Sequence, residues 1–151
     1  MEQLLTSTGY PALFLLSFLA ATLLPLGSEW LLVLMLLKGY NPVATLAVAT
    51  TGNFLGAVTT YLIGLYGGSV LVHRFLRMDE STVSRAKTIY SRYGSWSLLF
   101  SWVPVIGDPL CLIGGMLEVR FLRFFLLVVA GKLARYGIIT WLTLKGAQFV
   151  T

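Results

Sequence analysis

Pro25-Leu-Gly-Ser-Glu29 and Pro104-Val-Ile-Gly-Asp108 interrupt two hydrophobic stretches in the same way, with a proline followed four positions later by a carboxylate. The two strings start 79 residues apart. A proline with a nearby glycine breaks a helix and frees backbone groups. At membrane depth those groups survive only where protein or a water-filled cavity receives them. An ionisable group at the same depth is costly and marks a candidate site. Paired breaks in corresponding halves of a chain point to a binding site at the midplane of a repeat-built transporter.

Composition supports the membrane setting. Of 151 residues, 57% are hydrophobic and 11% charged, against a soluble norm of about half apolar and a quarter charged. The chain reads as one unit, residues 1–151, with no low-complexity linker dividing it. Met1 to Pro11 lacks a basic leader region, so it is expected to belong to the mature protein. With one cysteine, Cys111, and one histidine, His73, neither an internal disulfide nor a Cys/His metal centre is expected. No cofactor and no nucleic-acid partner is expected either.

Around the first break, Ala12 to Leu37 divides into arms of 13 and 8 residues, about 20 and 12 Å long as helices. Neither arm alone crosses a hydrocarbon core of about 30 Å, so the region is one broken span or a re-entrant hairpin. Val43 to Tyr66 has no formal charge over 24 residues and predicts a full span. Gly52 and Gly56 give it a small-xxx-small face, a candidate surface for a homodimer.

From Val72 to Gly94 the chain turns polar and basic, with Arg74, Arg77, Arg85, Lys87 and Arg92. Val83, Ala86, Tyr90 and Tyr93 recur on one face, Asp79 is placed to cap the start, and Gly94 to stop the end. This predicts an amphipathic helix on the membrane surface, with a solvated connector as the alternative. Trp96 to Val103 and Leu110 to Leu117 then flank the second break, and Phe121 to Leu144 predicts the second full span.

The expected architecture is therefore all-α: two broken re-entrant hairpins, each followed by a transmembrane helix. Repeat 1 covers about 11–68, the amphipathic linker about 72–94 and repeat 2 about 95–147. The hairpin topology gathers seven of the eleven Lys and Arg residues on the linker side, against five if both broken regions cross fully. It also inverts one repeat relative to the other and places the linker in the cytoplasm.

Lys132 and Arg135 lie inside the last span, three apart on one face. With Glu29 and Asp108 they make a neutral set of two acids and two bases. One reading is structural: two ion pairs clamp the hairpins to the last helix. The other is a substrate and proton site. Arg135 offers a bidentate fork for phosphate oxygens and Lys132 a compact charge, while a displaced carboxylate takes up a proton. Pro25, Gly27, Ser28, Pro104 and Gly107 shape the breaks. Asn53 is a candidate pathway residue, with an interhelical hydrogen bond as its plainer role.

Enzyme readings are weak. The chain has no repeated aspartates of a lipid phosphotransferase and no zinc-protease helix, and Ser28 has no neighbouring base in sequence to activate it.

Ser91-Arg-Tyr-Gly94, Leu99-Phe-Ser-Trp-Val-Pro-Val-Ile-Gly-Asp108 and Ala130-Gly-Lys-Leu-Ala-Arg-Tyr136 resemble the YqaA-like branch of the DedA superfamily, the VTT or SNARE-associated-type membrane proteins. So do Thr22-Leu-Leu-Pro25 with Ser28-Glu29, and Gly52-Asn53 with Gly56. The resemblance implies opposed re-entrant hairpins in a bacterial inner membrane. It also implies movement of lipids, such as a polyprenyl phosphate or a phospholipid, with a coupling to protons. The wider superfamily carries an acid where Glu29 stands, an aspartate at position 53 and arginines at 101 and 107. Here those last three are Asn53, Ser101 and Gly107. Asp108, Lys132 and Arg135 then stand as this branch's own arrangement. The expected function is a lipid flippase or scramblase. The alternatives are a proton- or cation-coupled transporter of a small solute and a non-transporting assembly protein.

Overall fold

A computed structural model describes residues 2–22, 28–67 and 80–150. Pro25 and Gly27 of the first break, and the linker up to Asp79, lie outside the described residues. Among the described residues the fold is entirely helical. Its elements are α1 (Glu2–Ala20), α2 (Glu29–Leu37), α3 (Pro42–Tyr66), α4 (Glu80–Tyr93), a 3-10 segment (Gly94–Trp102), α5 (Gly107–Met116) and α6 (Phe121–Val150).

Only α3 and α6 are long and apolar enough to cross a membrane among the described residues, as the sequence predicts for the two full spans. Helix α3 opens with Pro42 at its first position, where the missing N–H costs nothing, and Asn41 Oδ1 accepts from the amides of Val43 and Ala44 at 3.0 and 3.1 Å. Helix α6 runs six residues past the predicted end at Leu144. Helix α1 likewise reaches back to Glu2 and carries Pro11 inside it.

The short helices distribute themselves over the long pair in a regular way. Helix α1 lies on α3 and α2 mainly on α6, whereas the 3-10 segment lies on α6 and α5 on α3. In each half the first arm packs on that half's own long helix, and the second arm packs mainly on the other's.

Local geometry recurs at the same interval. After α2, the amides of Lys38, Gly39 and Tyr40 donate to the carbonyls of Leu34, Leu36 and Met35 at 3.0 to 3.1 Å. After α5, Leu117, Glu118 and Val119 donate to Ile113, Gly115 and Gly114 at 2.9 to 3.0 Å. Each member of the second set stands 79 residues after its counterpart. Both caps use a left-handed residue, Gly39 at φ 82° and Glu118 at φ 53°. Helices α3 and α6 begin at Pro42 and Phe121, the same interval again.

The Gly52/Gly56 face is already occupied within the chain. A Cβ added at Gly52 would lie 2.6 Å from the Phe14 carbonyl oxygen, and one at Gly56 2.5 Å from that of Phe18. Both glycines let α1 approach α3, so this face is unavailable to a second copy. Gly64 and Gly115 perform the same service where α3 crosses α5.

Helix α4 is amphipathic, ends before Gly94 at φ 61°, and has Glu80 in its first turn and Arg92 in its last, matching the helix dipole. It is docked rather than free. Ala86 is fully buried against Leu110 and Ile113, with Ile89 and Tyr90 beside it. Tyr93, predicted on that face, is exposed and stacks near Phe100 instead.

The arm before the second break is a nine-residue 3-10 helix, where a short α-helix is the simpler expectation. Its rise of about 2.0 Å per residue gives it about 18 Å of reach, some 4 Å more than the same residues coiled as an α-helix. Val105 follows at φ 72°, a conformation that β-branched residues rarely adopt.

Candidate functional site: a charge cluster at the two breaks

Two apolar clusters leave a polar layer between them. One joins Leu13, Leu32, Met35, Ala49 and Tyr136; the other joins Ala57, Tyr61, Leu98, Phe124 and Val128. Val128 and Tyr136 lie one helical turn on either side of Lys132, so the lysine falls in the gap between the two clusters.

All four predicted charges meet in that gap, around a cavity of about 180 Å³. It is lined by Ser28 and Glu29 at the head of α2, Asn53 from α3, Ser101, Val103, Pro104 and Val105 at the second break, Asp108 from α5, and Lys132 and Arg135 from α6. The space holds several water molecules or one tetrahedral oxyanion.

Two ion pairs cross it. Arg135 pairs with Glu29, and Lys132 Nζ stands 3.7 Å from Asp108 Oδ1. The second guanidinium nitrogen of Arg135 donates to the Trp102 carbonyl at 2.8 Å, which ties the end of the 3-10 segment to α6. Lys132, only 3% exposed, also donates to Asn53 Oδ1. Asn53 Nδ2 in turn donates to Tyr136 Oη at 3.0 Å, and Tyr136 Oη shares a 2.7 Å hydrogen bond with Ser28 Oγ.

A continuous polar chain thus runs Asp108, Lys132, Asn53, Tyr136, Ser28, and ends next to Glu29. It fixes Asn53 as a relay between α3 and α6, the interhelical bond anticipated for it. Gly107 takes part through its lack of a side chain: a Cβ there would collide with the Ser101 carbonyl. Pro104 lines the cavity, while Pro25 and Gly27 fall outside the described residues.

Two participants have no charge to betray them in the sequence. Tyr136 follows Lys132 by four residues, which places its hydroxyl on the same helix face. Ser101 Oγ is buried at the cavity wall without a hydrogen-bond partner among the described residues. Both could have been found by asking which polar side chains share the face or the break with the four charges.

Chemically, the cluster is a neutral set of two cations and two anions around a small void, with Lys132 buried and the other three half-buried. An anion with several oxygens, placed in that void, would compete with Glu29 and Asp108 for Arg135 and Lys132. The guanidinium offers parallel donors to such a ligand and the ammonium a point charge.

The VTT domain family matches residues 24–143, a stretch that contains the whole cluster. The chain is 38% identical over 139 residues to the inner membrane protein YqaA of Escherichia coli (strain K12), covering 91% of this chain and 93% of that one. It is 35% identical over 144 residues to an uncharacterized protein of Haemophilus influenzae, covering 87% and 85%. A more distant protein of Methanocaldococcus jannaschii shares 25% identity over 139 residues, 91% of this chain and 85% of that one. No solved structure matches the chain. The chain belongs to the VTT-domain, or DedA, membrane-protein family, in its YqaA-like branch.

Proposed function

We propose that this VTT-domain protein is a small multi-pass membrane transporter, a flippase or scramblase that passes a phosphate-bearing lipid headgroup through the cavity between its two breaks. The substrate class is a polyprenyl phosphate or a phospholipid. The observation that carries the reading is the convergence of Glu29, Asp108, Lys132 and Arg135 on one void of oxyanion size. Structural clamps need no cavity between them, whereas a site for an exchangeable anion does.

The architecture supports alternating access. The recurrence of caps and helix starts at an interval of 79, with arms exchanged between the long helices, fits a duplicated unit. With each broken region returning to the face it enters from, the one long helix between them puts the two hairpins on opposite faces, so the two units are inverted and the site lies where they meet. The basic linker then faces the cytoplasm, as the distribution of Lys and Arg favours.

In the proposed cycle a phosphate displaces Glu29 from Arg135, the freed carboxylate takes a proton, and release of the headgroup returns it. Apart from that proton transfer no bond is made or broken and the headgroup leaves unchanged, so the proposed cycle is transport and not an enzymatic reaction. In proteoliposomes, Arg135→Ala and Glu29→Gln abolish headgroup translocation while helicity and monodispersity persist. Unchanged translocation in either variant refutes the reading.

A structural reading has one observation in its favour, since both acids are paired in this state. Under it, exchanging the partners as Glu29→Arg with Arg135→Glu restores the wild-type phenotype. Under the transport reading the exchanged pair folds and does not transport.

A further inference from the structure

A second recess, of about 450 Å³, opens between Trp96 of the 3-10 segment and the first two turns of α6. Leu122, Leu126 and Leu127 form its apolar floor, and Arg120 and Arg123 stand at its rim. None of these residues belongs to the central charge cluster. We propose that this groove binds an anionic phospholipid, with its phosphate on Arg120 and Arg123 and one acyl chain along the three leucines.

Charge selects this occupant. Among the described residues, neither arginine pairs with a carboxylate, and the two ion pairs present engage Lys132 and Arg135 instead. Arg123 makes only a long 3.5 Å hydrogen bond to Ser95 Oγ. Tyr90 of α4, partly buried against Ala86, is close enough to feel the charge of Arg123. Burial pushes that phenol above its ordinary pKa, and the positive charge of Arg123 opposes the push. Two unneutralised guanidinium groups, one of them beside the Ser95 hydroxyl, suit a phosphate, and a zwitterionic headgroup would bring its own cation into the same field.

Geometry selects a lipid over a soluble anion. Leu122, between the two arginines, and Leu126, one turn further along, are more than half exposed on a helix that is long and apolar enough to cross a membrane. From position 120 to 127 the helix rises about 10 Å, room for a headgroup and the first methylenes of a chain. Trp96, 68% exposed, closes the side of the groove, and an indole there suits the headgroup level of a bilayer. Basic pockets between helices near the membrane surface are a recurrent form of anionic lipid site.

Trp96 reports on its own groove. With Trp30, Trp102 and Trp141 replaced by Phe in the full-length chain, quenching of Trp96 is titrated with dibromo-phosphatidylglycerol or dibromo-phosphatidylcholine in vesicles of unbrominated phosphatidylcholine. The expected preference for phosphatidylglycerol is roughly fivefold per arginine and up to about thirtyfold for the pair. It falls to near unity in R120Q/R123Q. R92Q removes the same charge from an exposed position outside the groove and preserves the preference.

Equal quenching by both lipids overturns the proposal. So does a preference that survives R120Q/R123Q, or one that R92Q lowers as much as R123Q does. If the single-tryptophan chain fails to fold, retention of phosphatidylglycerol by the wild-type protein and by R120Q/R123Q in native mass spectrometry decides the same question. Headgroup transport through the central cavity does not enter this test, so either reading can fail alone.

Discussion

Removing the charge of Lys132 tests whether the central cluster is a coupled unit. At 3.7 Å, and with an effective dielectric constant of 20, the Lys132–Asp108 attraction is about 4 to 5 kcal/mol before desolvation is subtracted. Deleting one member of a buried pair typically costs about 3 to 5 kcal/mol, because the other charge is left without a partner. Lys132→Met keeps a long side chain between Val128 and Tyr136 but strands Asp108 and leaves Asn53 Oδ1 without its donor. The expected loss is about 4 kcal/mol. Asp108→Asn, which leaves the lysine charge with Asn53 alone, costs about 3 kcal/mol. The double variant carries no stranded charge and keeps only the loss of the donor to Asn53 Oδ1, about 2 kcal/mol, so the coupling in the cycle is about 5 kcal/mol. Reversible unfolding in mixed micelles, followed by tryptophan fluorescence, measures all four species. A coupling below about 0.5 kcal/mol refutes the ion pair as an energetic unit. Headgroup translocation by the refolded double variant adds a second reading: the proposed transport demands that it be lost although the fold is recovered.

Gly56→Val drives a side chain into the Phe18 carbonyl and the Ala21 Cβ, so a loss of about 3 kcal/mol or more is expected in the same assay. Gly137→Ala, where nothing lies within 4 Å, is neutral or slightly stabilising, and equal effects at the two sites would contradict the α1–α3 packing. Tyr136→Phe deletes the hydroxyl that joins Ser28 to Asn53 and costs about 1 to 3 kcal/mol; a stability change within 0.3 kcal/mol or so would show that the polar chain is not closed there. Val105→Gly relieves a left-handed valine worth about 1 to 3 kcal/mol and costs about 0.5 to 1 kcal/mol in added backbone freedom, so a net gain near 1 kcal/mol is expected in thermal unfolding. A loss there would mean that the side chain contributes more by packing than its backbone strain costs.

The two long helices, the position of the second break and the meeting of two acids with two bases on the last helix were legible because each rests on a local rule: apolar length, a proline with a glycine, and charge balance at depth. What escaped depends on packing partners. A small-xxx-small face promises a close approach but does not say to what, and here α1 takes it. Polar residues such as Glu2, Gln3 and Thr6 hid the start of α1, which owes its helicity in part to the α3 surface further along. Nothing in Gly94 to Trp102 distinguishes a 3-10 from an α-helix; the wider pitch is settled by contact with α6 and by the bond from Arg135 to Trp102. Tyr136 and Ser101 carry no charge, so only their neighbours give them away.

The interval of 79 residues bears on the charges themselves. Glu29 and Asp108 are counterparts at this interval, as are Gly52 and Gly131, and Asn53 and Lys132. Asn53 and Lys132 touch each other. In a two-fold arrangement, equivalent residues touch only at or near the axis, so under the proposed inverted repeat this pair marks its centre. The acids obey that symmetry and the bases do not: where the second half has Lys132 and Arg135, the first has Asn53 and Gly56. A cycle that exchanges the conformations of the two halves therefore exchanges the roles of Glu29 and Asp108 around cations that stay on α6. In the structure each acid already holds one base, Glu29 on Arg135 and Asp108 on Lys132, so under that cycle the exchange would swap their partners. An arginine at position 56, the counterpart of 135, would collide with α1 at Phe18 and Ala21, which is a packing reason for the asymmetry to persist.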